Sequence, residues 1–166
     1  PPRRVRMPET RPEKLTAIAK AVGHDASLFD EQDHAFLQFD GITLHLQYFA
    51  EGDVSVLVLA ADLGELDAQS RIQAYALMLS ANTSWRDVAG GALALDDKQQ
   101  RALLMARVDL AGLTDAALAQ RIYAFTRAAV HWAGKLAALA AQPGAAQEAA
   151  RPGVATPALP SMANLV

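Results

Sequence analysis

The chain has no cysteine among its 166 residues. That removes any disulfide framework and every cysteine-ligated zinc site, and it fits a reducing cytoplasm. Aromatics are scarce at 6%. No apolar stretch runs to the roughly 20 residues a bilayer-spanning helix needs, so no membrane span is expected. The start lacks the apolar core of a signal peptide. Neither sign of charge dominates: 15 basic side chains stand against 18 acidic ones, for a net charge of −3, which gives no footprint for nucleic acid. No internal repeat at a solenoid period is present.

Catalytic parts are missing as well. His24, His34, His45 and His131 are scattered over what read as a loop, two strands and a helix, with no His-x-x-x-His pair. The acids Asp96-Asp97 and Glu65 to Asp67 fall at a hairpin tip and a helix start, where carboxylates serve the turn and the helix dipole. A hydrolase built on Glu65, Asp67 and Asp96 is therefore the weakest of the functions considered. Ser80 and Ser84 lack a Gly-x-Ser-x-Gly elbow, and no glycine-rich loop matches a phosphate or dinucleotide cradle. Gly90-Gly91 lies inside a strand pattern and reads as a bulge or a close backbone approach. No enzyme, cofactor or metal is expected.

What is present is a pattern of elements. Asp40-Gly41 divides the alternating runs Ala35–Phe39 and Ile42–Phe49, a strong hairpin signal because a type I′ turn needs positive φ at both central residues. Glu51-Gly52-Asp53 then punctuates the chain before Val54–Ala60, which predicts a third, antiparallel strand. Thr10-Arg11-Pro12-Glu13 has the spacing of a capping box, with Leu15, Ile18 and Val22 following at helical intervals up to Gly23. Asp67 is expected to cap a second helix running to about Ala81, and Thr114 a third in which Leu118, Ile122, Phe125, Ala129, Trp132 and Leu136 repeat. Between them Val88–Leu95 and Ala102–Leu110 predict two more strands around Asp96-Asp97-Lys98-Gln99. The expected fold is α+β: an antiparallel sheet of five strands with three helices in the order α-βββ-α-ββ-α.

The size suits one domain with a real core, and the composition, 52% hydrophobic and 20% charged, is that of a folded protein. The expected organisation is a flexible extension over 1–8, the folded domain over 9–140 and a disordered Ala/Pro-rich tail over 141–166. Arg3, Arg4 and Arg6 stand before Met7 and read as an upstream extension more readily than as a basic arm. From Gln142 the tail holds almost no large apolar residue until Leu159.

The second helix is apolar on two sides. Projected at about 100° per residue, Ile72, Tyr75, Ala76 and Leu79 form one stripe, and Ala74, Leu77, Met78 and Ala81 form the other. Two partners are implied: the sheet, and either another helix of the same domain or, the favoured reading, the same helix of a second subunit. The third strand likewise runs Val56-Leu57-Val58-Leu59, apolar on both faces, a surface either covered by the first and third helices or left as a groove for a partner segment.

Over Glu13–Leu139 the chain resembles the class I type III secretion chaperones, the Tir-chaperone family. The matching strings are Phe39-Asp40-Gly41-Ile42, the segment Tyr75-Ala76-Leu77-Met78-Leu79-Ser80-Ala81-Asn82, the segment Gly90-Gly91-Ala92-Leu93-Ala94-Leu95-Asp96, and Val108-Asp109-Leu110. The resemblance implies a cytoplasmic bacterial homodimer that binds the N-terminal region of a secreted effector in non-globular form, keeping it stable and ready for export without ATP. It implies effector binding by Leu15, Ile18, Leu44, Leu46, Val56 and Val58, and a dimer contact through Ala74, Leu77, Met78, Ala81, Gly91 and Leu93. The Ala/Pro-rich tail exceeds what the family core requires and leaves room for a docking or regulatory role. The alternative is a ligand-sensing or regulatory α+β domain whose apolar groove takes a small molecule or a folded partner.

Overall fold

A computed structural model describes residues 10–52 and 54–141. The expected extension over 1–8 and the tail beyond Ala141 lie outside the described residues.

Asp40 and Gly41 take φ of 47° and 79°. The chain therefore reverses in two residues, pairing β1 (His34–Phe39) antiparallel with β2 (Ile42–Glu51). Gly52 at φ 58° begins the next reversal, and β3 (Val54–Glu65) returns along β2. At 12 residues β3 outruns the expected end at Ala60. Its extra length passes through Ala61-Asp62-Leu63-Gly64, a loop-like string that becomes strand because Leu44 and Thr43 of β2 pair with Ala61 and Asp62 and β5 (Arg101–Asp109) pairs with it across a bulge between Asp62 and Gly64. Arg101 holds Asp62 there, with Nη2 to Oδ2 at 2.7 Å.

The helices are α1 (Arg11–Ala21), α2 (Arg71–Ala81) and α3 (Asp115–Ala140), with a 3₁₀ turn at Ala26–Leu28. In α1 the expected Thr10–Glu13 capping box is present, with the Thr10 backbone N–H donating to Glu13 Oε2 at 2.7 Å. Thr114 Oγ1 accepts from Ala117 N at 3.2 Å and starts α3 as expected. Asp67 does not cap α2. Its Oδ2 accepts from Gln69 N and Ser70 N, shaping the turn before the helix, and Ser70 takes the cap position. The strand predicted over Val88–Leu95 begins at Ala92 as β4 (Ala92–Asp96). The preceding residues form turns that end in Gly90 at φ 74° and Gly91, where an added Cβ would collide with the carbonyl oxygen of Met105. Close backbone approach, one of the two expected reasons for the glycine pair, is what the structure shows.

The sheet order is β1-β2-β3-β5-β4, antiparallel throughout. The element order is α-βββ-α-ββ-α, as the sequence predicts. Alternation sends Leu44, Leu46 and Tyr48 of β2, Leu57 and Leu59 of β3, and Leu104 and Val108 of β5 into one core with α1 and α3. Phe125 and Trp132 of α3 anchor it, each fully buried and each contributing about 2–3 kcal/mol through the area it removes from water. The Trp132 indole N–H donates to Asp87 O at 2.8 Å, which pins the α2–β4 loop onto α3. The other face of the sheet leaves Phe36, Phe49, Val54 and Met105 exposed.

Candidate functional site

Strand β1 is one edge of the sheet, and its outer side has no strand partner among the described residues. His34 turns its N–H to Asp30 Oδ1 and its C=O to Asp30 N, at 2.8 and 2.9 Å. Antiparallel pairs alternate in hydrogen bonding, so the backbone groups of Phe36 and Gln38 point the same way, outward, along a six-residue edge. The entry to this strand is fixed by Arg11, whose guanidinium binds the Asp33 carboxylate through both Nε and Nη2 and ties the start of α1 to the start of β1. That hydrogen bond, reinforced by the charge of Asp33, raises the Arg11 pKa above its ordinary value.

Beside this edge lies a groove of about 330 Å³ between the end of α1, β1 and the first half of α3. Ala21, Val22, Leu37, Phe39, Ala119 and Tyr123 form its walls, with Leu44 and Ile122 as floor. Its polar members are His24, Gln38 and Thr126, and the Thr126 hydroxyl is already committed to Ile122 O at 2.9 Å. None of the lining residues carries an acidic, lysine or arginine side chain. Phe39 and Tyr123 stand 41% and 61% exposed at its mouth, so the groove opens to the surface along the strand edge. Such a surface can pair with an extended backbone and take alternate apolar side chains.

The opposite edge is capped at Leu93. The side-chain amide of Asn82 donates to Leu93 O at 3.1 Å and its Oδ1 accepts from Leu93 N at 2.8 Å, so a side chain occupies the place of a sixth strand on β4. Near it, Ile72, Ala76 and Leu79 form an exposed stripe on α2, with Trp85 exposed in the following turn.

The residues singled out in the sequence fall mostly beneath these surfaces. Of the effector-binding set, Leu15, Ile18, Leu44, Leu46 and Val56 are buried and Val58 is half-buried. Leu44 alone reaches the groove, as floor. Val56 and Val58 lie on the other sheet face, beside Phe49 and Arg107. Of the dimer set, Ala74, Met78 and Leu93 are sealed in the core of this chain, and Leu77, Ala81 and Gly91 are half-buried. Two apolar stripes on α2 are visible in the sequence, but which one turns inward is decided by tertiary packing: the Ala74–Met78 stripe faces the core and the Ile72–Leu79 stripe faces out. The groove walls Val22, Leu37, Phe39 and Tyr123 were missed. Tyr123 offered a signal, being a large aromatic one step off the apolar repeat of α3.

Two of the scattered histidines meet. The His34 and His45 rings lie 5.0 Å apart, and Phe36 stacks on His45 at 4.5 Å. Burial, and then the nearby His34, hold the His45 imidazole below its ordinary pKa. Among the described residues no three His, Asp or Glu side chains gather as a metal site would require.

A family model for the Tir chaperone protein (CesT) family matches residues 14–133. The chain belongs to that family. It is a chaperone family, not an enzyme family, and its fold recurs in solved structures. One is the ExsC–ExsE complex, at TM-score 0.58 and 23% identity, covering 74% of this chain and 91% of that one. A second is the heterodimeric ExoU–SpcU complex from the type III secretion system of Pseudomonas aeruginosa, at TM-score 0.55 and 19% identity, covering 75% and 95%. The HopA1–SchA chaperone–effector complex matches at TM-score 0.54 and 16% identity, covering 72% and 90%. No curated protein matches the sequence. No helix among the described residues is long and apolar enough to cross a membrane.

Proposed function

We propose that this protein is a type III secretion chaperone that holds the N-terminal region of a secreted effector in extended, non-globular form, without ATP, and keeps it stable and export-competent in the bacterial cytoplasm. The observation that carries this function is the charge-free apolar groove running beside the unpaired edge of β1, in a chain of a chaperone family. A client strand adds to Phe36 and Gln38 through its backbone, and its alternate side chains drop between Val22, Phe39 and Tyr123. A client that orders on binding forfeits about 2–5 kcal/mol, so the surface must supply both backbone pairing and apolar area. A small-molecule sensor is less well supported, because 330 Å³ is at the low end for ligand sites and few polar groups converge on the groove.

The proposed assembly is a homodimer, with the exposed Ile72–Ala76–Leu79 stripe of α2 at the subunit contact in place of the buried Ala74–Met78 stripe. A dimer doubles the length of surface open to one client.

Co-expression with the products of neighbouring genes tests the function. One secreted protein should be retained through its N-terminal region, that region should resist protease, and retention should persist without nucleotide. Retention of folded proteins only, or turnover of a small substrate, contradicts it.

A further inference from the structure

The groove beside β1 is free of acidic, lysine and arginine side chains, whereas the other exposed sheet face carries Glu51, Arg107 and the Asp62–Arg101 pair. The sequence past the end of α3 holds a segment of matching character. Gln142–Ala158 is rich in Ala, Pro and Gly, and Leu159-Pro160-Ser161-Met162-Ala163-Asn164-Leu165-Val166 follows with four large apolar residues and no charged side chain. Its stretch from Ser161 to Val166 contains no proline, so every residue keeps a backbone N–H to offer a strand edge.

The distances permit contact within one chain. From Ala141 back along α3 to Ile122 is about 28 Å at the helical rise. The residues from Gln142 to Ala158 can span up to about 56 Å when extended, about twice that distance. A segment tethered so near its site meets it at an effective concentration on the order of 1 mM, enough for a contact too weak to form between separate molecules.

We infer that the chain's own segment Leu159–Val166 docks in the groove between α1, β1 and α3 and acts as an internal stand-in for the client. It shields the apolar walls and the open strand edge while no client is present, which limits edge-to-edge association. An arriving effector displaces it. The displacement half rests on the groove being the client site; the docking half does not.

The absence of cysteine makes the test clean, because a single introduced thiol is the only one to react. A nitroxide attached to Ser161→Cys in the otherwise full chain should broaden the amide signals of Val22, Leu37 and Tyr123 and leave those of Met105 and Arg107 sharp. Adding Leu159→Asp, Met162→Asp and Leu165→Asp should abolish the broadening. Absence of broadening at the groove, broadening at Met105 and Arg107 in its place, or broadening that arises only between differently labelled chains would each overturn the docking. Without the label, the same triple substitution should tighten client binding about two- to tenfold, as expected for a competitor of on the order of 0.1–1 mM affinity at that effective concentration. Intact docking with unchanged client affinity would remove the groove as the client site and with it the displacement half.

Discussion

The two edges of the sheet are treated differently by the same chain. At β4 the Asn82 side chain bonds both backbone groups of Leu93, and Gly91 lets the backbone press against β5. At β1 the corresponding groups of Phe36 and Gln38 face outward beside an apolar, charge-free groove. An exposed strand edge is an association hazard that proteins ordinarily blunt. Blunting one edge and leaving the other beside exposed Phe39 and Tyr123 points to an edge kept for pairing.

A large effect is expected where β4 meets β5. Gly91→Ala should destabilise the fold by about 1–3 kcal/mol, because the added methyl meets a backbone carbonyl that cannot swing aside, and urea denaturation measures it. Next comes the open edge. Phe39→Asp should cost client affinity roughly tenfold or more, since a buried apolar contact becomes a charge, while the urea midpoint moves little because Phe39 is already exposed; calorimetric titration separates the two. Asn82→Ala should cost about 1–2 kcal/mol by leaving Leu93 unpaired and should add concentration-dependent association seen by light scattering. Leu79→Glu, on the outward stripe of α2, should halve the mass of the assembly without unfolding it, whereas Met78→Glu should unfold the chain, because Met78 lies in the core.

The smallest effect is pH dependence at the β1–β2 pair. His45 is held below its ordinary pKa, so the unfolded chain binds the proton more readily than the folded one. Stability is therefore full above about pH 6.5 and declines as pH falls through the lowered value. His45→Gln should flatten a thermal-melting profile between about pH 7 and 5.

Most of the fold was legible in the sequence because its signals are local. Asp40-Gly41 dictates a turn by backbone geometry, Thr114 caps α3, and the spacing from Leu118 to Leu136 marks one helix face. Where long-range pairing decides, the sequence misleads: Ala61–Glu65 becomes strand because β5 lies alongside it, with Thr43 and Leu44 of β2 pairing Asp62 and Ala61 on the other side. The candidate site was less legible for the same reason. Apolar residues at Leu15, Ile18, Leu46 and Met78 announce burial, and burial in the core looks identical in sequence to burial under a partner. The groove walls come from three separate elements and share no local motif.

Hydrogen–deuterium exchange of the full chain with and without its client tests the unequal edges most directly. Client binding should protect the amides of Phe36 and Gln38 while leaving exchange at Leu93, already bonded to Asn82, unchanged. Protection that appears along β4 or across the Met105–Arg107 face, with Phe36 and Gln38 exchanging as before, would contradict the account.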